Sequence, residues 1–139
     1  QADFFLENAK PDAQTLVVLD YEPNVTGPSM ALNQAREFVE HVQEVLGRYP
    51  GLYSGHLIKE DLAGVNPPDP VFSNCFLWIA QYSGPKPLNI PPTFKTWTFW
   101  QYTDGVHGIE PHRVNGVGQC DRNQFNGSLT QLRKLWGVA

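Results

Sequence analysis

The residues with the clearest chemical potential are two carboxylates one residue apart, Asp20 and Glu22, at the end of the run TLVVLDYE (residues 15–22). In an extended strand, residues i and i+2 point to the same face, so both side chains project into one space from Cα atoms about 6.5 to 7 Å apart. Each carboxylate then opposes ionisation of the other, which is expected to push one pKa up and leave the other down. A protonated acid beside an ionised partner is the equipment of glycoside hydrolysis, where the acid protonates the leaving oxygen and the carboxylate supports an oxocarbenium-like transition state. The plainer alternative is the polar end of a strand entering a turn. Tyr53, Trp78, Tyr82, Trp100 and Tyr102 are candidates for a sugar platform, since the aliphatic faces of sugar rings pack well on aromatic rings. For these residues, Trp78 and Trp100 above all, the alternative is packing in the core.

Two further chemistries are weighed on the same terms. His41, His56, His107 and His112 are scattered, with no i, i+4 pair and no cysteine cluster beside them. No metal site and no cofactor is expected from them, and they read as surface or loop polarity. Cys75 and Cys120 lack CxxC spacing and read either as one disulfide or as two buried thiols.

Periodicity indicates the elements that must hold these residues. Ala2, Phe5, Leu6 and Ala9 fall at helical spacing, which Pro11 stops. Residues 15–22 read as a strand covered on both faces. Ser29 is placed to cap a helix through Leu46, whose apolar stripe includes Ala35, Phe38, Val39 and Val42. A short strand (51–55) and a short helix (56–62) follow, then a loop through Pro67, Pro68 and Pro70. Residues 76–83, FLWIAQYS, read as another buried strand, and a second proline-rich loop covers 84–96. In the strand at 97–104, Thr98, Trp100, Tyr102 and Asp104 share one face, while Gln101 takes the other and reads as structural. After a glycine-rich stretch, Ser128 caps a last helix.

This alternation is that of parallel α/β architecture, with the carboxylates at C-terminal strand ends, where such folds build their sites. A closed eight-stranded barrel takes about 250 residues, whereas this sequence has 139 residues and four convincing strands. The expected fold class is therefore α/β, a partial and irregular (β/α) barrel of the TIM-barrel-like type with two open sheet edges.

Composition narrows the partners. With 10 Lys and Arg against 14 Asp and Glu, the net charge is -4, so the clustered positive charge that binds nucleic acid is missing. No apolar run approaches the roughly 18 to 20 residues that cross a bilayer, and the first residues have no signal-peptide pattern, so no membrane insertion is expected. The 12 Gly, 12 Pro and 4 Trp suit a loop-rich cleft with aromatic walls.

The motifs in their order resemble the glycoside hydrolase family 25 lysozymes, the Chalaropsis-type N-acetylmuramidases. LVVLDYE is similar to that family's strand ending in D-x-E, GLYSG to its next short strand, FLWIAQYS to its L-W-x-A-x-Y strand and FWQYTD to its W-Q-Y strand. GVGQCDRNQFNGS is similar to its final segment, where an Asp precedes N-x-F-x-G. The resemblance implies a muramidase that cuts the β-1,4 bond between N-acetylmuramic acid and N-acetylglucosamine, with peptidoglycan glycan strands as partner. It implies that Glu22 is the general acid/base and Asp20 the neighbouring carboxylate, either nucleophile or orienter of a substrate acetamido group. Asp104 and Asp121 match two other acidic positions lining the family's cleft; a carboxylate capping its own turn is the alternative for each. The implied location is extracellular or cell-wall associated, as a secreted enzyme or a phage lysin.

Members of that family begin with a strand bearing an Asp in a D-x-S-type motif, followed by two more βα units, and no counterpart precedes Gln1. Residues 1–139 are accordingly expected to be one catalytic-type domain, the C-terminal part of such a barrel without its N-terminal strands, as a fragment or a natural short form. Two other readings follow from that shortening. One is a catalytically impaired glycan-binding module; the other is an assembly domain that self-associates through its open sheet edge.

Overall fold

The computed structural model describes residues 1–138. Strands β1 (Val18–Asp20), β2 (Gly51–Ser54), β3 (Leu77–Ala80) and β4 (Phe99–Thr103) lie side by side in chain order, all parallel. Helix α1 (Ala2–Ala9) precedes them, α2 (Leu32–Leu46) links β1 to β2, and α3 (His56–Asp61) follows β2. Beyond β4, β5 (Arg113–Val114) and β6 (Gly118–Gln119) form a separate antiparallel hairpin. Strand β7 (Arg122–Phe125) then returns antiparallel along β4, and α4 (Leu129–Leu135) ends the order. The sheet is thus mixed, with β1 and β7 at its edges, and among the described residues it does not close into a barrel. No helix is long and apolar enough to cross a membrane among the described residues.

Strand alternation divides the sheet into two unlike faces. Leu19, Tyr21, Leu52, Leu77, Ile79 and Trp100 point to one side and are buried there with Ala35 and Val39 of α2 and with Ile58 and Leu62 at α3. Burying a side chain of the Leu, Ile or Val kind is worth about 1.5–3 kcal/mol, so this layer holds the helices on. On the other face Trp136, at the end of α4, packs against Phe99, and among the described residues α4 is the one helix shown in contact there. This face carries Val18, Asp20, Tyr53, Trp78, Gln101 and Asn123.

Several expectations need correction. The first strand spans three residues rather than eight, although the bonds Gly51 N–H to Val17 O and Tyr21 N–H to Tyr53 O extend its pairing at both ends. Ser29 does not cap α2. Its hydroxyl accepts the Asn24 N–H instead, and the helix starts at Leu32 behind Ala31, whose N–H is taken by the Gln34 side chain at 2.9 Å. Ser128 does cap α4, accepting the Gln131 N–H. Both cysteines are free, Cys75 buried and Cys120 half-buried, so the reading with a disulfide is set aside; burial pushes the Cys75 thiol up to about 12.

The two proline-rich loops are tied down by charged side chains. Buried Asp69 accepts a 2.6 Å bond from Arg36 of α2 and the N–H groups of Val71 and Phe72. Lys59 of α3 donates to Gln81 Oε1 and to the Leu88 carbonyl, holding the loop that follows β3.

Candidate active site

A cleft of about 450 Å³ opens on the part of this face that α4 leaves free, and every central strand contributes to it. From β1 come Val18 and Asp20, with Glu22 just beyond the strand; Tyr53 comes from β2, Trp78 from β3, Gln101 from β4 and Asn123 from β7, with Asp121 just before it. The parallel register places Asp20 beside Tyr53 and Tyr53 beside Trp78, and the antiparallel pair places Gln101 beside Asn123. Partners in register share a face, which is why residues distant in the chain meet here.

Asp20 and Glu22 both open onto the cleft, as their i, i+2 spacing requires. Their ionisation differs from expectation, because both carboxyls are raised rather than one raised and one lowered. Partial burial raises Asp20. Burial also raises Glu22, the Asp20 charge adds to it, and the nearby His56 works in the opposite direction. Glu22 is therefore the carboxyl that bears the mutual repulsion. Its Oε1 lies above Gly55, where an added Cβ would stand 3.8 Å away.

The floor is aromatic and amide. The Tyr53 and Trp78 rings meet edge to face, with centroids 5.5 Å apart. Trp78 Nε1–H donates to Asn123 Oδ1 at 2.8 Å, and the Tyr53 hydroxyl donates to Gln101 Oε1. Burial first, and then the charge of Glu22 with those of Tyr82, Asp20 and Asp121, raises the Tyr53 phenol, so it keeps its proton and stays a donor. Tyr82 stands on the rim, where burial and then the charges of Asp104, Asp121 and Glu22 raise it.

Of the residues picked out in the sequence, Asp20, Glu22, Tyr53, Trp78 and Asp121 line the cleft, and Tyr82 is beside it. Three do not line it, although the Asp104 charge reaches Tyr82 at the rim. Trp100 is 2% exposed on the helix-facing side, with its Nε1–H bonded to the Gln81 carbonyl at 2.7 Å. Tyr102 is on that same side, 5.8 Å from the Trp100 ring and under the Arg122 guanidinium. Asp104 holds its own turn, since Oδ1 accepts the N–H groups of Val106 and His107 while Oδ2 meets the His107 ring at 2.8 Å. The His107 bonds hold the Asp104 carboxyl well below the usual range. The turn folds tightly back on β4 at Gly108, whose φ is +100° and where a Cβ would lie 2.0 Å from the Tyr102 carbonyl oxygen.

Gln101, Asn123 and His56 were not anticipated at the site. The alternation of β4 correctly separates Gln101 from Trp100 and Tyr102, but it cannot say which of the two faces is the open one. The apolar residues of β1, β2 and β3 that share the Trp100 face carry that information.

A larger groove, about 590 Å³, lies on the other side of Glu22 and is lined by residues of α1, α2 and the 22–30 segment, among them Asp3, Asn24, Glu37 and His41. It has Glu22 at its edge and Phe38 in its lining but not Asp20, so only the smaller cleft holds both carboxylates.

The model of the family described as glycosyl hydrolases family 25 matches residues 1–108. Lysozyme M1 of Streptomyces globisporus is 30% identical over 145 residues, covering 97% of this chain and 47% of that protein. The crystal structure of a bacterial lysozyme from Streptomyces coelicolor superposes with a TM-score of 0.75 at 30% identity, covering 100% of this chain and 66% of that one. A muramidase from Acremonium alcalophilum gives 0.70 at 26% identity, with 98% and 64% covered. The chain thus spans about half the length of the first relative and slightly under two thirds of the two structures. With the D-x-E strand, the open cleft and a family model matched over residues 1–108, the chain belongs to glycosyl hydrolases family 25.

Proposed function

We propose that the cleft binds a peptidoglycan glycan strand and that Glu22 protonates the oxygen leaving from the β-1,4 bond between N-acetylmuramic acid and N-acetylglucosamine. The observation that carries this reading is the pair itself, with two carboxylates from one strand end opening onto one aromatic-floored cleft. Burial and the Asp20 charge keep Glu22 protonated to a higher pH than a free glutamate, which a general acid requires. Asp20 faces the positive charge that develops at the sugar, as nucleophile or as orienter of the acetamido group. Tyr53 and Trp78 supply ring faces for the sugars, and Asp121 and Tyr82 supply rim contacts. Asp104, Trp100 and Tyr102 support the site from the turn and from the rear of the sheet. Relatives named lysozyme and muramidase support the substrate class, and such a substrate puts the site of action at the cell wall, outside the cell.

Reducing-end release from purified peptidoglycan tests the reading. Wild type should release them, and Glu22→Gln, which keeps shape and loses the ionisable proton, should lower the rate by orders of magnitude. A Glu22→Gln variant with near-normal release would remove Glu22 from the mechanism. One observation favours a second reading, a glycan-binding module without turnover: β1 has no strand neighbour on its far side among the described residues, so no strand walls the cleft beyond Asp20. Co-sedimentation with cell-wall sacculi without reducing-end release would favour that reading.

A further inference from the structure

Gln101 is the one amide in the cleft that is fixed by burial. It is 4% exposed, in the middle of β4, between Ala80 of β3 and Asn123 of β7. Its Oε1 accepts the Tyr53 hydroxyl. Its Nε2 has no partner among the described residues, yet no buried side-chain nitrogen or oxygen among them lacks one, so this nitrogen reaches the cleft. The orientation of the amide follows from its neighbours. The Tyr53 hydroxyl donates to Oε1, and Asp20, Glu22 and Asp121 make the cleft negative, which favours the N–H side of the amide there over its carbonyl.

The Trp78 N–H is taken by Asn123 and the Tyr53 O–H by Gln101, and the Glu22 proton is reserved for the leaving oxygen. The amide donors left for a ligand are Gln101 Nε2 and Asn123 Nδ2, and of the two residues Asn123 is exposed whereas Gln101 is held in place by burial. Sugar hydroxyls both donate and accept, so they can be satisfied by carboxylates. The carbonyl of an acetamido group only accepts, and leaving it unpaired on binding costs the whole desolvation penalty.

We propose that Gln101 is a specificity-determining residue of this cleft, donating from Nε2 to the acetamido carbonyl of an N-acetylated sugar, with the Tyr53 hydroxyl holding the amide in the donating orientation. The inference rests on the glycan-binding reading above and assigns the discrimination between 2-acetamido and 2-hydroxy sugars to one side chain. Gln101 touches the ligand in this assignment; Tyr53 acts through it as a positioning residue.

The test compares two oligosaccharides with the same β-1,4 backbone, N-acetylchitotriose and cellotriose, by titration calorimetry against the full chain. Wild type should bind the acetamido sugar more tightly. Gln101→Glu keeps the acceptor for Tyr53 and loses the donor, so it should bind N-acetylchitotriose about tenfold more weakly, the size of one lost hydrogen bond, with cellotriose binding unchanged. Gln101→Met, which adds no charge, should show the same selective loss and guards against a folding defect in the first variant. Tyr53→Phe should lose part of the preference in the same direction. Equal weakening for both sugars, or full retention by Gln101→Glu and Gln101→Met, overturns the assignment while the glycan-binding reading stands. A wild-type chain that binds neither sugar and releases no reducing ends overturns both.

Discussion

The Tyr21 hydroxyl donates a 2.6 Å hydrogen bond to Asp61 Oδ2 at the end of α3, so the residue between the two cleft carboxylates is tied to the opposite layer of the molecule. Alternation turns Tyr21 into the core by the same rotation that turns Asp20 and Glu22 out of it. Burial, with the Asp61 hydrogen bond and charge, raises the phenol, which stays protonated and keeps donating. Tyr21→Phe should cost about 1 kcal/mol in urea denaturation and broaden the NMR signals of the Glu22 side chain. An unchanged midpoint with an unchanged Glu22 signal would mean that this bond does not hold the strand end.

The pH behaviour of the pair has a definite sign. Glu22 is raised by burial first and by the Asp20 charge second. Removing that charge makes Glu22 easier to ionise, so Asp20→Asn should lower the Glu22 pKa and move the alkaline limb of any remaining activity to lower pH. Carboxyl NMR titration reads the shift directly. A Glu22 midpoint that stays in place or rises in Asp20→Asn would show that the two groups do not interact.

Asp69 works in the other direction. Burial alone would raise its carboxyl, but the bonds from Arg36 and from the Phe72 and Val71 N–H groups outweigh it and leave the pKa lowered. A carboxylate depressed in the folded state adds stability that is present above its unfolded pKa and is lost as pH falls through the folded one. Asp69→Asn should therefore cost about 3 kcal/mol near neutrality, as for a broken buried pair, and should flatten the acid limb of the stability curve. Denaturant midpoints measured from neutral to acidic pH check both parts, and a variant whose loss is the same at every pH would contradict the assignment.

The free edge of β1 is proposed as a contact between copies of the chain. Among the described residues no strand pairs with its far side, and half-buried Val18 is the apolar residue of β1 on the open face. Exposed edges pair readily with other chains, and an inward charge opposes this. Sedimentation should show concentration-dependent association that weakens in Val18→Lys. A monomer at all accessible concentrations would show that Asp20 and Glu22, on the same face, suffice to keep the edge apart.

The sequence alone determined the local features. The D-x-E pair faces one way because strand alternation is a property of the backbone, and the order of helices and parallel strands follows from periodicity that each segment carries by itself. The α4 cap is equally local, since Ser128 and Gln131 need only each other. What tertiary structure decided is which face of each strand is covered. Trp100 and Gln101 alternate in either case, but only the packing of α2 and α3 on the Leu19, Leu52 and Ile79 side sends Trp100 into the core and Gln101 into the cleft. β7 was not legible either. RNQF has no apolar alternation of its own and is strand because β4 offers it a ladder. Asp104 shows the same limit from the opposite side: in the sequence it is a carboxylate after a strand, and only the turn through Gly108, which brings the His107 ring and two backbone N–H groups to it, engages both of its oxygens.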